Sequence, residues 1–600
     1  MYGITDNKRK LKEARERLNV LYSKIPDTKG CMQNNRPESE GGCGAWCCLH
    51  PETIIFTDYG PVPIKDIQTW HKVFTKGGLK KVIKVGKRYK NENLLRIKSS
   101  YGREIILTKD HKIYVSAFHR PSRSTQPVYT YDFIESGSLK IRNSKKKIVG
   151  HHNYLPKIDK SQLFITESPF VFDFQTLICN GYYDMAVNGD CVYSYHTKNS
   201  DGTKTFFGKS FPSKITLDTD FAYMLGLFLA EGSLGDNSVD FHISSDEQDL
   251  ENKIQSFAHK FNLTCSSKIN RGKSKTIRIF STCLRNLFEF MCNSGCENKK
   301  LHDSIFCRII QTESLVNALH QGVYDGDGTR YKKNLYSFTT TSRWLAYQML
   351  YIRTVLGFVC GFYTHYPKDK KIVYTLIENK AGKYNDYLEL EECHLLTIKN
   401  IEEVPYEGFV YDIEVEDEHS FYTEFGEVHN CKTQTPQVLY TEFLNTWKSI
   451  TKDWDDSSFE KLIEKCLRKY LFPNKDKSCV FIDMQTNKCL QHETRPFNCR
   501  IYGITPEEEF KPRYERLKVI YPDARDQCHL VSTVNDKPVT TRDTNNWWFE
   551  LNSIEMSVGI KKEAITDETG GSYRTYHDHV LIHILGDKGM EQLSLLREKG

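Results

Sequence analysis

The rhythm of apolar and polar positions changes several times along the chain, and each change predicts a segment of different build. Residues 7–24 space their apolar positions as a helix would, among Lys, Arg and Glu, which predicts an amphipathic helix. A polar, Gly-rich stretch then runs to Cys43-Gly44-Ala45-Trp46-Cys47. From Cys48 to about residue 158 helical spacing nearly disappears. Short alternating runs take over: ETIIFT, GPVPIKDI, HKVFTK, LKKVIKVGKRY, NLLRIKS, REIILT and HKIYVS. Alternation broken by turns in this way predicts an all-β module. Residues 160–215 read as a further β-rich excursion, with a strand over 170–174, and no chemistry attaches to them.

Residues 216–395 switch to apolar helices and do so twice. The run FAYMLGLFLAEG ends in Glu231 and Gly232, and residues 315–328 repeat the arrangement through Leu319, Gly322, Val323, Asp327 and Gly328. A strand and then a helix follow each copy, in SVDFHISSDEQDLENKIQSFAHKF and in NLYSFTTTSRWLAYQMLYIRTVLGF. This is an internal duplication in which Glu231 and Asp327 hold equivalent places. Gly226, Ala230, Gly322 and Gly326 are small enough for two helices to touch backbone to backbone, which would bring the two acids together. Residues 396–430 return to strands. Residues 431–600 change character again, with strands predicted at LVSTV and KPVTT and a helix over 459–470.

A length of 600 residues predicts about four domains. Hydrophobic residues at 39% and charged residues at 27% place the chain among ordinary globular proteins and exclude a fibrous or disordered class. A net charge of +6 is too small at this length to argue for nucleic acid by itself. No run approaches the ~18 apolar residues of a membrane span. The first twenty residues contain no apolar signal core. The expectation is a cytoplasmic chain, a monomer with no membrane partner. In that compartment nineteen cysteines point to thiol chemistry or metal ligation rather than disulfides.

The chemistry concentrates at two distant points. Val428-His429-Asn430-Cys431 sets a side-chain amide that can cyclise onto its own carbonyl directly before a thiol, and Cys48 offers a second thiol far upstream. Thr108-Lys109-Asp110-His111 follows a strand, so a hydroxyl and an imidazole three residues apart can address one peptide bond.

Residues 48–430 resemble an intein with an embedded homing endonuclease. CLHPETIIFTDYGPVPIKDI is similar to an intein's opening block, and ILTKDHKIYV to its Thr-x-x-His block. The run from Val410 to Phe421 resembles the penultimate block, and Val428 to Cys431 the last block with the first downstream residue. The resemblance implies the horseshoe-shaped, all-β Hint fold. It also implies splicing without a cofactor. Cys48 attacks the Cys47 carbonyl to give a thioester, while Thr108 orients the scissile amide and His111 protonates its nitrogen. Cys431 takes the acyl group, with Asp412 moving a proton. Asn430 then cyclises, with His429 and His419 polarising its carbonyl. A hedgehog-like autoprocessing module is the rival within this fold, and the intact His429-Asn430-Cys431 speaks against it.

The duplicated segment resembles LAGLIDADG homing endonucleases. The resemblance implies an α+β domain in which Glu231 and Asp327 hold Mg²⁺ against double-stranded DNA, with Lys299 and Lys371 as assisting lysines. Lys268, Arg271, Lys273, Lys275 and Arg278 form a stretch with five bases and no acid, expected on two DNA-facing strands. The implied target is the intein-free site of the host gene. Joined, residues 1–47 and 431–600 resemble YkgJ-type cysteine-cluster proteins, implying a small α+β host domain. Cys43, Cys47, Cys431, Cys479, Cys489 and Cys499 would then bind zinc or iron.

The expected order is therefore residues 1–47 host, 48–159 splicing domain, 160–215 insertion, 216–395 endonuclease, 396–430 splicing domain and 431–600 host. The alternatives are a metal-binding protein carrying an inert insert, or an intein with a degenerate endonuclease.

Overall fold

The computed structural model describes residues 8–29, 48–109, 111–119, 128–141, 150–164, 170–182, 184–198, 204–270, 272–331, 335–368, 370–379, 387–416, 418, 420–429, 437–472, 479–481, 489–520, 532–535, 537–560 and 574–599. It is a multidomain mixed α/β protein with several sheets. The chain divides into two units, residues 1–47, 412–419 and 430–600 in one and residues 48–411 and 420–429 in the other. Among the described residues no helix is long and apolar enough to cross a membrane.

The larger unit carries a twelve-stranded sheet. Its main path runs through 420–422, 427–429, 112–119, 151–156, 393–415, 78–99, 72–75, 54–57 and 60–63. The runs LKKVIKVGKRY and NLLRIKS are not two strands but one, Gly78–Ser99, lying beside the similarly long Cys393–Val415. The polar residues between the two runs stay extended because their side chains find partners across the pair. Tyr89 donates to Glu407 at 2.6 Å, Asn93 to Glu403 at 3.0 Å and Arg96 to Glu402 at 3.2 Å. Such cross-strand pairs hold a sheet where local sequence would turn.

Residues 170–217 add a strand pair, Phe170–Asp173 with Lys214–Leu217, and a three-stranded sheet of 185–188, 191–198 and 204–212. Beyond them the duplication is visible as two four-stranded sheets of matching build. The first orders its strands 232–234, 238–244, 274–280 and 264–269, and the second 329–331, 335–340, 373–379 and 360–365. The helices Gln248–Lys260 and Arg343–Val355 occupy equivalent places. Strand followed by helix, twice, is what the two sequence copies predict.

In the smaller unit, expected as a small α+β domain, the described residues are mostly helical: Lys8–Lys24, Tyr440–Asp453, Asp456–Leu471, Glu507–Ile520, Thr541–Ser557 and Tyr576–Lys599 make its framework. Apart from residues 412–415, the end of the long strand Cys393–Val415, its described strands are pairs of two residues, 28–29 with 532–533 and 437–438 with 574–575. Among the described residues of LVSTV the strand is Ser532–Thr533. KPVTT is no strand: the Thr540 hydroxyl caps the helix that follows, in a capping box with Asp543. The β-branched run that suggests a strand is a helix start. The helix predicted over 459–470 lies inside Asp456–Leu471.

Candidate functional site

Two places in the larger unit gather the predicted residues. In the first, Cys48 and Leu49 are threaded between strands. Leu49 bridges to Leu107 on one side and to Tyr411 on the other, donating to Tyr411 O at 2.7 Å and accepting from Tyr411 N at 2.9 Å. The Cys48 N–H donates to Thr108 Oγ1 at 3.0 Å, and the Thr108 N–H donates back to Cys48 O at 3.0 Å. Cys48, Thr108 and His111 are all buried, at 1%, 1% and 0% exposure. The Cys48 nitrogen is the amide nitrogen of the Cys47–Cys48 bond, so Thr108 grips the atom that a thioester-forming shift would release.

The turn carrying Thr108 and His111 closes through His111 N to Thr108 O at 3.1 Å. Ser136, which sequence reasoning passes over, pins it. Its hydroxyl donates to Thr108 O at 2.9 Å and Lys109 O at 3.0 Å, and its N–H donates to His111 O at 2.8 Å. Only the Ser-Gly-Ser composition of residues 136–138 hints at such a turn.

His429 ends the strand Glu427–His429, whose Val428 pairs with Ile113, and Phe133 meets the His429 ring edge-on at 5.3 Å. Asp412 belongs to the smaller unit, is buried, and accepts from its neighbour's amide, Ile413 N, at 2.8 Å. His419, Asn430, Cys431, Cys43, Cys47 and Arg271 lie outside the described residues.

The second place is the helix pair Thr219–Glu231 and Glu313–Asp327. Each helix presses a glycine into the other's backbone. A Cβ on Gly226 would stand 2.2 Å from Leu319 O, and one on Gly322 would stand 2.1 Å from Tyr223 O. Gly226 and Gly322, Tyr223 and Leu319, and Glu231 and Asp327 are each 96 residues apart, so the crossing is two-fold in pattern. At a third position a Cβ on Gly326 would meet the Ala230 Cβ at 2.5 Å. The close approach delivers the helix ends together, so that the carboxyls of Glu231 and Asp327 act on each other's ionisation. Burial and the neighbouring Asp327 hold the Glu231 carboxyl up to about 7, with Glu247 adding to the effect and Lys299 opposing it. Burial also raises Asp327, against the pull of Lys299. Two like charges this close cannot both ionise freely.

Lys299 donates to the carbonyls of Phe228, Leu229 and Ala230 at 3.0, 3.2 and 3.4 Å. It therefore caps the helix that ends in Glu231, and burial lowers its ammonium from the ordinary lysine range. Nearby, His302 caps the helix Asp303–Ile309 by accepting from Ser304 N. Lys371 is ion-paired with Glu297 and largely exposed.

The basic stretch lies on the hairpin Thr264–Ile269 and Ser274–Phe280, but its members part ways. Lys275 shares the inner face with Ile277 and Ile279 and is tied to Glu251 at 2.6 Å. It leaves the outer face because strand side chains alternate. Arg278 faces outward against Asp240, with contacts of 2.7–3.0 Å. Lys268 pairs across the hairpin with Thr276, on the exposed side, and Lys273 lies in the turn.

A divalent cation fits the carboxyl pair. Its two acids are mutually repulsive once ionised, and a Mg²⁺ site commonly takes one or two protein carboxylates and leaves its other positions to water and phosphate. Among the described residues no three His, Cys, Asp or Glu side chains converge as a protein-only metal cage. In the smaller unit Cys479, Cys489 and Cys499 do line one cavity, with His492, Arg495 and Tyr576. These thiols share a wall without forming a ligand set by themselves.

No family model matches the chain. It is 24% identical over 494 residues to an uncharacterised protein of Methanocaldococcus jannaschii, covering 66% of this chain and 52% of that one. It is 25% identical over 418 residues to the ATP-dependent DNA helicase Hel308 of Thermococcus kodakarensis, covering 64% and 36%. It is 28% identical over 254 residues to the DNA-directed RNA polymerase subunit Rpo1C of M. jannaschii, covering 42% and 25%. The chain thus spans about half the length, or less, of these curated relatives. A solved structure of variants of the homing endonuclease I-DmoI aligns with 28% of this chain and 90% of its own, at 16% identity and a TM-score of 0.22. A score of that size assigns no fold.

Proposed function

We propose that the chain is a precursor that removes its own residues 48–430 by protein splicing, joining residues 1–47 to 431–600. The single observation that carries this is the grip of Thr108 Oγ1 on the Cys48 amide, 3.0 Å long and closed inside a buried corner. A peptide bond is made labile by holding it rigidly, protonating its nitrogen and placing a nucleophile beside its carbonyl. The paired strands hold Cys48 on both sides. His111, one turn from Thr108, supplies the proton to the nitrogen. The Cys48 sulfur forms its bond to the Cys47 carbonyl carbon as the C–N bond breaks. Cys431 next displaces Cys48 from that carbonyl. Asn430 cyclises through its side-chain amide, with Asp412, His419 and His429 assisting, and the ligated thioester relaxes to an amide.

The spread of relatives supports this reading. A helicase and an RNA polymerase subunit have unrelated tasks, yet each matches over a minority of its own length. A segment that travels between unrelated hosts and removes itself leaves this pattern. The test uses an Asn430→Ala variant. A small thiol should release residues 1–47 from it by intercepting the thioester, and a chain that added thiol never cleaves before Cys48 would overturn the proposal.

The same larger unit carries the second part of the proposal, a DNA endonuclease over residues 216–395. Glu231 and Asp327 would hold Mg²⁺, which stabilises charge on the scissile phosphates when bound. Lys299 fixes the turn that presents Glu231. Lys268, Lys273 and Arg278, with Arg271, would meet the duplex. The substrate would be DNA of the uninterrupted host gene, and Mg²⁺-dependent cutting of that duplex is the check. For the joined host, zinc or iron would be held by Cys479, Cys489 and Cys499 together with Cys43, Cys47 and Cys431. Metal content before and after splicing tests that assignment.

A further inference from the structure

The strongest unabsorbed feature lies in the β-sheet rather than in the endonuclease segment. Between Asp66 and Glu92 the chain carries eight Lys and Arg and no Asp or Glu. The first part of this run folds as the hairpin Lys72–Thr75 and Gly78 onward, turning at Lys76-Gly77 and closed by Thr75 Oγ1 donating to Gly78 O at 2.8 Å. Its register sets Lys72 directly opposite Lys81, and both are exposed. Like charges facing each other across a ladder cost stability unless an anion offsets them.

The rest of the sheet treats its bases differently. Arg96 and Lys98 meet Glu402, Lys109 meets Glu403, and Lys157 meets Glu389. Among the described residues no acidic side chain forms an ion pair with Lys72, Lys76, Lys80 or Lys81. Asp58 feels the charge of Lys72, but its carboxylate accepts from the Lys72 backbone N–H at 2.9 Å rather than from the ammonium. Beside the hairpin stand two exposed aromatics. Trp70 is 56% exposed and stacks on His71 at 3.7 Å, and Tyr59 meets Trp70 edge-on at 4.9 Å.

The hairpin is also fixed to the nuclease segment. Phe56 and Phe74 pack on Tyr351 of the Arg343–Val355 helix, and the Tyr351 hydroxyl donates to Thr57 O at 2.7 Å. A Cβ on Gly60 would stand 2.5 Å from the Phe306 ring, and Arg343 reaches Glu52 at 2.8 Å. These contacts leave the basic hairpin little freedom to swing away from the nuclease.

We infer that the hairpin around Lys72, Lys76 and Lys81, with Trp70 and Tyr59, is a second DNA-binding surface. It would take the phosphate backbone of duplex flanking the cleavage site and extend the footprint beyond the endonuclease segment. This rests on the nuclease reading above. Phosphate contacts of this kind add affinity and salt dependence without reading sequence.

The experiment compares the full chain with a Lys72→Gln, Lys76→Gln, Lys81→Gln variant. Each binds two duplexes of the uninterrupted host site, one with long flanks and one trimmed to the centre, across a salt series. On the long duplex the variant should bind on the order of tenfold more weakly, with a log-log salt slope shallower by about two to three. On the trimmed duplex the two proteins should match, and splicing yield should match as a check on folding. Equal affinity and equal slope on the long duplex would overturn this surface while leaving the nuclease reading intact. A wild-type chain that binds neither duplex would overturn both. Retention of an RNA or acidic-peptide probe, with the long duplex unaffected by the substitutions, would assign the surface to another polyanion and overturn the DNA assignment.

Discussion

The corner around Cys48 and the pair Glu231–Asp327 lie in one unit and solve opposite problems. The first is made of main-chain hydrogen bonds and one hydroxyl, closed off from solvent, with its groups placed by strand pairing on both sides. The second is made of charge: two helices forced together by glycines bring two carboxyls to where each acts on the other's ionisation. A site that must cut its own chain gains most from holding one amide still. A site that must cut a polyanion gains from a concentration of negative charge that recruits a cation. The first should therefore answer to geometry and the second to pH and metal.

The largest effects should come from separating the two. Changing Glu231 or Asp327 to Ala should remove DNA cutting, a loss on the order of a thousandfold or more by analogy with other charge-stabilising groups, while splicing proceeds at its ordinary rate. Cys48→Ala should do the reverse. Cleavage assays and gel analysis of one preparation read both, and a substitution that silences both activities without unfolding the chain would break the comparison.

Within the Cys48 corner, on the proposed splicing reading, His111→Ala should slow thioester formation by ~10²–10⁴-fold, the usual worth of a placed general acid. Thr108→Ala should cost about tenfold, the worth of a hydrogen bond, with Thr108→Ser recovering most of it. Thiol-trapping rates measure each step, and a Thr108→Ala chain as slow as His111→Ala would show that the hydroxyl does more than orient.

The charge pair makes a prediction about stability. Its folded-state carboxyl is held up to about 7 at Glu231, above the ordinary glutamate range. Between those limits the folded unit keeps a proton that the unfolded chain has lost, so stability falls as pH rises through that window. A cation replaces the proton as a source of balance. Mg²⁺ should therefore raise the Tm more at about pH 8 than at about pH 5.5, and Glu231→Gln with Asp327→Asn should abolish the difference. Thermal melts with and without chelator test it, and an equal Mg²⁺ effect at both pH values would contradict the assignment.

The smallest effect concerns the helix crossing. Gly322→Ala places a methyl against Tyr223 O and should cost roughly 1–3 kcal/mol by overpacking, with cutting impaired before splicing. Chemical denaturation of the larger unit measures the cost.

How much of this was legible depended on whether a residue's partners were local. The helix pair could be read because the spacing of Gly226, Ala230, Gly322 and Gly326 already encodes a close crossing, and the Thr108 to His111 turn because it directly follows a strand. The continuous strand Gly78–Ser99 could not, since acids more than three hundred residues away keep its polar middle extended. Thr540 was hidden because β-branched residues serve both strands and helix caps. Lys275 looked like its basic neighbours, yet Ile277 and Ile279 two and four positions on already place it inward. The ion pair of Lys371 with Glu297 was hidden because its two members are distant in sequence.

The intact mass of the expressed chain, followed with time under reducing conditions, tests the central claim most directly. The account predicts that the 69.9 kDa precursor gives way to two species, residues 48–430 and residues 1–47 joined to 431–600. A single species that stays at the precursor mass would contradict it.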